Sequence, residues 1–242
     1  MMVRWWLGSI LACLSATAAA QVLHVGFGTH KPPYVFEGEP RGLEYEIVYR
    51  AAHNAGFELT AYYAPIERLH LMLRRGELDA ITTTHERSGV EAFYSDVYIH
   101  YHNVAVALAK RGYRIEQVAD LGNYAVSAFQ RARVLLGPEF ERMAMNNPRY
   151  REEAQQINRN RLLYSGRTDV VVGDMRIIRY LDRDVNDQVD VTQSLDWFEI
   201  FPPTPYRVGF RLDEQRLRFN AGLRMLRESG DYQRIEQRYL VD

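Results

Sequence analysis

A short pattern that occurs twice, 90 residues apart (position 79 to position 169), constrains the fold more than any other feature of this sequence. The segment Gly76-Glu-Leu-Asp79-Ala-Ile has a counterpart in Gly166-Arg-Thr-Asp169-Val-Val. In each copy the glycine is placed to end a helix, and the chain enters an apolar strand two residues later. Two copies of one helix-to-strand connection predict two lobes that are wound in the same way.

Strand-like and helix-like segments alternate along the chain around these two copies. Short β-prone runs are followed by amphipathic segments that end at glycine, as at Gly56. This alternation predicts the α/β class. The predicted strands are residues 22–27, 57–63, 78–82, 124–128, 170–173 and 206–211, and the predicted helices are 43–55, 66–75, 134–143, 155–163, 175–181, 213–226 and 232–239.

The first twenty residues differ from the rest of the chain. Arg4 gives a positive start, an apolar stretch follows, and three alanines precede Gln21. This pattern is typical of a secretory signal peptide and is too short to span a bilayer. We expect cleavage after Ala20 and a periplasmic location. Lipoprotein processing at Cys13 is the less favoured alternative because the apolar run before it is short.

Charge and cysteine content exclude several classes of function. The chain has 30 Lys and Arg against 31 Asp and Glu, a formal net charge of −1. Nucleic-acid binding and attachment to anionic membranes need a basic excess that is absent here. Cys13 is the only cysteine and lies in the predicted signal peptide, so disulfides, thiolate nucleophiles and cysteine-bound zinc are excluded from residues 21–242.

Two segments are candidates for crossings between the lobes. Residues 98–109 form a β-prone stretch that is long enough to leave one lobe and enter the other. Phe201-Pro-Pro-Thr-Pro205 is a stiff segment that leads into a further strand. We therefore expect hinge segments near 105–110 and 200–206. The predicted first lobe comprises residues 21–106 and 204–242, and the second comprises residues 107–203.

The sequence lacks the common catalytic and metal-binding motifs or contains them only in incomplete form. Gly26-Phe-Gly28 lacks the third glycine of a dinucleotide-binding loop, and the prolines that follow remove backbone N–H donors. Nucleophile-elbow, P-loop and H-E-x-x-H patterns are absent. His100 and His102 alternate on a predicted strand, with His85 upstream, but strand or hinge histidines explain them better than a metal site. We expect neither a metal nor a cofactor.

Polar residues follow predicted strands at three places, and ligands bind at such places in α/β proteins. Arg87 lies in a loop after Thr83 and Thr84, and a guanidinium flanked by hydroxyls is a good carboxylate receptor. Asp174 either accepts from a ligand ammonium or caps the next helix. The loop Phe129-Gln130-Arg131 either binds an anion or is only a turn.

Several segments, taken in order, carry a resemblance to a known family. They are Pro32-Pro-Tyr34, Gly42-Leu-Glu-Tyr-Glu-Ile47, Leu71-Met-Leu-Arg-Arg-Gly-Glu-Leu-Asp79-Ala, Glu86-Arg87, Tyr94-Ser-Asp-Val-Tyr98, Asp120-Leu-Gly122, residues 165–174, and Leu226-Arg-Glu-Ser-Gly-Asp-Tyr232. With these segments the chain resembles the periplasmic solute-binding proteins of polar amino acid ABC transporters, the family 3 type. The resemblance implies the two-lobed Venus-flytrap fold (type 2), in which each lobe is a mixed sheet flanked by helices.

The resemblance also implies roles for the candidate residues. The residue matching Arg87 binds the ligand α-carboxylate, the one matching Asp174 binds the α-ammonium, and the loop 129–132 completes the site. Two departures stand out: the first loop offers Gly28 and Lys31 in place of an acidic residue and a stacking aromatic, and the Thr82–Arg87 loop is shorter than usual. Lys31 is therefore a candidate partner for an acidic group. The predicted ligand-binding set is Arg87, Asp174, Thr83, Thr84, Lys31, Tyr34, Phe129, Gln130 and Arg131.

We expect a monomeric binding protein that captures a small polar solute, an amino acid or related carboxylate, for an inner-membrane ABC permease. Two alternatives remain open. One is a periplasmic dehydratase or lyase of the cyclohexadienyl dehydratase type on the same scaffold, with Glu86, His30 and His85 as candidate acid groups. The other is a sensor that presents its closed form to a receptor.

Overall fold

Two β-sheets organise the protein, and each sheet is covered by helices. The computed structural model describes residues 21–239, so the predicted signal peptide and Cys13 lie outside the described residues. The strands are β1 Gln21–Phe27, β2 Phe57–Tyr63, β3 Ala80–Thr84, β4 Phe93–Tyr94, β5 Ile99–Tyr101, β6 Asn103–Leu108, β7 Val126–Phe129, β8 Tyr150–Glu153, β9 Val170–Asp174, β10 Leu195–Phe198 and β11 Thr204–Phe210. The helices are α1 Leu43–Asn54, α2 Ile66–Arg74, α3 Ala132–Leu135, α4 Pro138–Asn146, α5 Gln156–Tyr164, α6 Met175–Asp182, α7 Asp213–Glu228 and α8 Asp231–Tyr239.

The two sheets have the same plan. The first has the order β2-β1-β3-β11-β4, with β5 also paired to β11, and the second has the order β10-β6-β9-β7-β8. In each sheet three strands run parallel, β2-β1-β3 and β8-β7-β9, and an antiparallel strand joins them at one side. Mixed sheets with helices in two lobes confirm the predicted fold class.

The repeated sequence pattern has the same structural role in both lobes. Gly76 and Gly166 end α2 and α5 with φ values of +73° and +70°, which favour glycine. The Asp79 carboxylate then accepts from the backbone N–H of His24, within β1, at 2.9 Å. In the second lobe, Asp169 accepts from the N–H of Ala125 at 2.8 Å, next to β7. Each aspartate thus fixes the entry of a central strand against its parallel neighbour.

The chain changes sheet twice. β5 pairs with β11 in the first sheet, whereas β6 pairs with β9 and β10 in the second, so the first crossing is at His102. The second crossing comprises residues 199–203, between β10 and β11. The hinge segments predicted from the sequence are 105–110 and 200–206. The chain changes sheet before the first of them, at His102, because one continuous β-prone run supplies strands to both sheets.

A helix predicted over residues 134–143 is two helices in the structure. α3 ends at Leu135, and α4 begins with Pro138 in its first turn after Gly137, whose φ is +102°. Proline fits the first turn of a helix and disrupts an interior position, so the break falls where the Gly-Pro pair requires it. This break brings the junction between α3 and α4 to the boundary between the lobes.

Buried apolar side chains form a core in each lobe. In the first lobe, α1 and α7 cross closely at Gly222, where an added Cβ would lie 2.0 Å from the carbonyl oxygen of Ala51. In the second, Phe140 and Val172 belong to a buried cluster between the sheet and α4. Within residues 21–239, no helix combines the length and apolar character that crossing a membrane requires.

Candidate functional site

A cavity of about 70 Å³ lies between the lobes, at the carboxyl ends of the parallel strands. Ligands of α/β proteins bind at this position because loops from several strands converge there. We call it the cleft cavity. Its walls are Gly28, Thr29, Lys31, Ile66, Thr83, Tyr101 and Tyr206 from the first lobe, and Asn103, Phe129, Gln130, Leu135, Glu153, Ala154, Gln156, Asp174 and Ile177 from the second.

Lys31, which lines the cleft cavity from the first lobe, belongs to a buried ion pair. The Lys31 ammonium lies 2.8 Å from a carboxylate oxygen of Glu44, and the two side chains are 5% and 0% exposed. The hydroxyl of Thr83 donates to the other Glu44 oxygen at 2.7 Å, and the Tyr101 hydroxyl also donates to Glu44. Lys31 in turn donates to the Thr83 hydroxyl. The charge of Lys31 is therefore compensated within the protein.

Burial opposes ionisation of Glu44, but the Lys31 charge and the hydrogen bonds to the carboxylate outweigh it. The pKa of Glu44 is consequently lowered from its ordinary value. The position of Glu44 in the first turn of α1 also favours a negative charge. Thr83, which contacts both Lys31 and Glu44, has a φ of +54°. This backbone conformation is unusual for a β-branched residue and marks a constrained position.

The Asp174 carboxylate lines the cleft cavity but already has four hydrogen-bond donors. One oxygen accepts from the N–H groups of Arg176 and Ile177, so Asp174 caps α6. The other accepts from the Tyr34 hydroxyl at 3.0 Å and from the N–H of His102 at 2.8 Å. Burial raises the pKa of Asp174 despite these bonds. Asp174 thus bridges the two lobes, and the capping role is the one observed.

Arg87 does not reach the cleft cavity. It is exposed on a short 3-10 turn, residues 86–88, that follows β3 almost directly. The ring of His85 lies between Arg87 and the cleft cavity. Its Nδ1 accepts from the N–H of Arg87, and its Nε2 donates to the Leu135 carbonyl of the other lobe at 3.3 Å. Burial lowers the pKa of His85, which favours this neutral tautomer. The short loop after β3 therefore directs the guanidinium to a separate cavity.

The remaining predicted residues divide into two groups. Phe129 and Gln130 line the cleft cavity. Thr84 is buried in the sheet beside Gly209, and Tyr34 is buried with its ring stacked on Tyr101 at a centroid distance of 4.0 Å.

Arg131 crosses to the first lobe without lining the cleft cavity. It donates to the Glu67 carboxylate at 2.8 Å and to the carbonyl of Ser88. The contacts of Arg131 hold the two lobes together.

Several residues that line or support the cleft cavity belong to no recognisable sequence motif. Glu44 is the third residue of the Gly42 segment, where a helix start was evident but burial of its side chain was not. Tyr101 and Asn103 flank the first crossing, and Tyr206 follows the second. These residues meet only because the chain changes sheet beside the cleft, which a sequence pattern does not reveal.

Among the histidines and acids that are candidates for metal or lyase chemistry, His85 and Glu86 line one cavity together, and the others contact different partners. His102 is 3.6 Å from Glu199, His100 is exposed, and Glu86 pairs with Arg207 at 3.2 Å. Within residues 21–239, no group of three or more His, Cys, Asp or Glu side chains is arranged to hold a metal ion.

Comparison with solved structures identifies the same two-lobed architecture. A histidine kinase sensor domain with similarity to periplasmic binding proteins is 19% identical, with a TM-score of 0.77 over 92% of this chain and 97% of the other. An ancestral arginine-binding protein bound to arginine is 20% identical, with a TM-score of 0.74 over 92% and 100%. The arginine-, lysine-, histidine-binding protein ArtJ from Geobacillus stearothermophilus is 17% identical, with a TM-score of 0.73 over 91% and 95%.

A search of curated proteins finds no significant match. The family model for bacterial extracellular solute-binding proteins, family 3, matches residues 23–242, which is nearly all of the chain. The resemblance seen in the sequence is confirmed: this chain belongs to the bacterial extracellular solute-binding proteins of family 3.

Proposed function

We propose that this protein binds a small amino acid or related amino-carboxylate between its lobes and delivers it to an ABC permease in the inner membrane. The observation that carries the proposal is the distribution of charge in the cleft cavity. Its first-lobe wall presents the ammonium of Lys31, and its second-lobe wall presents the carboxylates of Glu153 and Asp174. A zwitterion complements opposite charges on facing walls.

The carboxylate end of such a ligand would meet Lys31. An ammonium group has three donors, and two of them are directed at Glu44 and Thr83. The third remains for a ligand oxygen. The amide side chains of Asn103 and Gln130 add neutral donors nearby. This arrangement differs from a site with a free arginine, because Glu44 limits the net positive charge that the ligand meets.

The ammonium end of the ligand would meet Glu153. The Asp174 oxygens already accept four hydrogen bonds, which fills their lone pairs. Glu153 is partly exposed at the cleft, pairs with the exposed Arg151 at 3.5 Å and lies in the field of the buried Arg159. Its carboxylate can therefore turn to a ligand at low cost, since exposed ion pairs contribute little.

Binding between the lobes provides the signal for transport. A ligand that contacts both walls favours the closed arrangement over the open one by its differential contacts. A permease partner then distinguishes loaded from empty protein by lobe closure. Secretion to the periplasm, as the first twenty residues indicate, would place the protein where such a permease meets it.

The test is a thermal-shift screen of protein that has been unfolded and refolded to remove bound solutes. The panel contains amino acids, polyamines and small organic acids. A ligand at a thousand times its Kd adds about 4 kcal/mol to the free energy of unfolding. Ala154, exposed at the edge of the cleft cavity, offers a blocking variant. Ala154→Trp should abolish the shift, whereas Arg87→Ala should retain it.

A shift that persists in Ala154→Trp would place the ligand elsewhere and contradict the proposal. No shift with any amino acid or carboxylate would also overturn it.

Sensing of a ligand is the second candidate function, and the structural similarity to a histidine kinase sensor domain supports it. Both functions need the same cleft, so ligand binding does not separate them. Deletion of the gene for this protein does: uptake of the ligand should be lost if the protein serves transport, and ligand-dependent gene expression should be lost instead if it serves a receptor.

A further inference from the structure

A second cavity lies behind the cleft, on the other side of the contact between His85 and Leu135. Its volume is about 300 Å³, within the range of small-molecule sites. Its walls are the 3-10 turn at residues 86–88, the junction between α3 and α4, and the crossing segment at residues 201–205. We call it the proline cavity. Both lobes and the second crossing contribute to it.

Positive charge predominates in the proline cavity. Arg87 and Arg207 line it together with a single acid, Glu86. Glu86 lies 3.2 Å from Arg207, whose guanidinium also donates to the carbonyl of Ser95. Within residues 21–239, no carboxylate lies within 4.0 Å of the Arg87 guanidinium. Arg87 therefore supplies a cationic group that the described protein leaves without an ionic partner.

The wall of the proline cavity that the crossing segment contributes is apolar. Phe201, Pro202, Pro203 and Pro205 line it there. Proline lacks an N–H group, so this wall offers few donors to a ligand. A guanidinium facing an apolar, rigid wall suits an anion with an apolar body better than a fully hydrated ion such as phosphate.

The two cavities are separated by a contact that includes a buried histidine. Leu135 contributes to both, and its carbonyl accepts from His85 across the lobe boundary. Because His85 is 8% exposed and hydrogen-bonded at both ring nitrogens, it closes the passage between them. A molecule in the proline cavity consequently contacts neither Lys31 nor Glu153.

We infer that the proline cavity is a second binding site, for a small organic carboxylate with an apolar body, and that Arg87 is its carboxylate receptor. Its walls belong to both lobes and to the crossing segment, so an occupant stabilises the closed arrangement. The two sites are then linked: an occupant of the proline cavity raises the affinity of the cleft cavity for its ligand. The cleft ligand raises the affinity of the proline cavity by the same factor.

Benzoate is a suitable probe, with benzamide as its neutral isostere. We expect benzoate, and not benzamide, to bind in isothermal titration of the purified chain. Loss of charge-assisted hydrogen bonds in Arg87→Ala should weaken benzoate binding by at least about tenfold. Arg142→Ala is the matched control, because Arg142 is exposed on α4 outside this cavity. Its benzoate affinity should equal that of the unaltered protein.

The Ala154→Trp variant distinguishes the two cavities. Its benzoate affinity should be unchanged, since Ala154 lines only the cleft cavity. Loss of benzoate binding in this variant would assign the probe to the cleft and overturn the inference. Equal affinity of Arg87→Ala and the unaltered protein, equal binding of benzamide, or no benzoate binding at millimolar concentration would overturn it as well.

Discussion

The Lys31–Glu44 pair places two opposite charges where water is almost excluded, with exposed fractions of 5% and 0%. Such pairs add little net stability, but removing one partner leaves a bare buried charge and costs about 3–5 kcal/mol. Lys31→Met should lower the free energy of unfolding by this amount in urea titration. Thr83 and Tyr101 still contact Glu44 in this variant, so the loss is expected at the lower end of that range.

The double variant Lys31→Met/Glu44→Gln is the internal control for this prediction. Glutamine keeps an acceptor for the hydroxyl donors and removes the bare charge, so most of the lost stability should return. Arg75→Met, at an exposed pair with Glu77, should change stability little. A Lys31→Met effect as small as that of Arg75→Met would contradict the buried pair.

His70 makes stability depend on pH. Its side chain is 4% exposed in α2, and burial, with Arg131 nearby, lowers its pKa from 6.5 to about 4. The unfolded chain therefore takes up a proton below pH 6.5 that the folded chain resists until about pH 4. Stability should fall by about 2 kcal/mol between pH 7.5 and pH 5 from this group alone.

Urea unfolding at the two pH values measures this contribution. His70→Leu should show a smaller loss of stability on acidification, by about the same 2 kcal/mol. The residual pH dependence in that variant reports the other titrating groups. If His70→Leu loses as much stability between pH 7.5 and pH 5 as the unaltered protein does, His70 ionises in the folded protein as freely as in the unfolded one.

Candidate residues could be predicted from the sequence only where the backbone fixes their direction. Asp174 ends a strand and starts a helix, as the sequence pattern predicts, and its capping bonds follow from that position. Arg87 lies on the loop after β3, but the length of that loop turns its side chain behind His85. Burial of Glu44 depends on Lys31, Thr83 and Tyr101, which lie far apart in the sequence.

At the scale of elements, the crossing of α1 and α7 sets the packing of the first lobe. Gly222 allows the two backbones to approach, since a Cβ there would lie 2.0 Å from the carbonyl oxygen of Ala51 and 2.9 Å from the nitrogen of Ala55. Both neighbours are backbone atoms within or at the end of a helix and cannot move alone. Gly222→Ala should therefore destabilise the protein by about 1–3 kcal/mol or more through overpacking.

Gly122→Ala is the matched substitution, because no atom lies within 4 Å of the Cβ position there. Its stability should be equal to or slightly above that of the unaltered protein. Thermal unfolding of both variants tests the prediction. If the two substitutions have the same effect, the helices are not in the close contact described here.

Elements with strong periodicity could be predicted from the sequence, and short edge strands could not. The strand at residues 57–63 and the helix at 43–55 agree with β2 and α1 to within one residue. The four-residue strands β8 and β10 carry no such pattern, and both lie at sheet edges. Their half-exposed residues lack the apolar alternation that marks a strand, so pairing with a neighbour decides their conformation.

At the scale of the whole molecule, side chains from both lobes hold the cleft closed. Tyr34 bonds to Asp174, and Arg131 reaches Glu67 and the carbonyl of Ser88. The repeated aspartates at the strand entries predicted two lobes, and the structure contains them. The contacts between lobes could not be predicted in this way, because they depend on the geometry of both crossings.

Lobe closure in response to a solute is the central claim, and a distance between the lobes tests it most directly. Residues 21–242 contain no cysteine, so spin labels can be introduced at Arg68→Cys and Arg151→Cys. Both positions are exposed, and Arg151 shares a groove between the lobes with Glu67, the neighbour of Arg68. Refolded, ligand-free protein is then titrated with L-arginine, L-glutamate and the strongest amino acid of the thermal-shift panel.

The account predicts that at least one amino acid shortens and narrows the distribution of distances between the labels. The same solute should leave the distribution of Ala154→Trp unchanged. Binding in the cleft between the lobes would be contradicted if no amino acid altered the distances in the protein that retains Ala154. It would also be contradicted if the distances changed equally in Ala154→Trp.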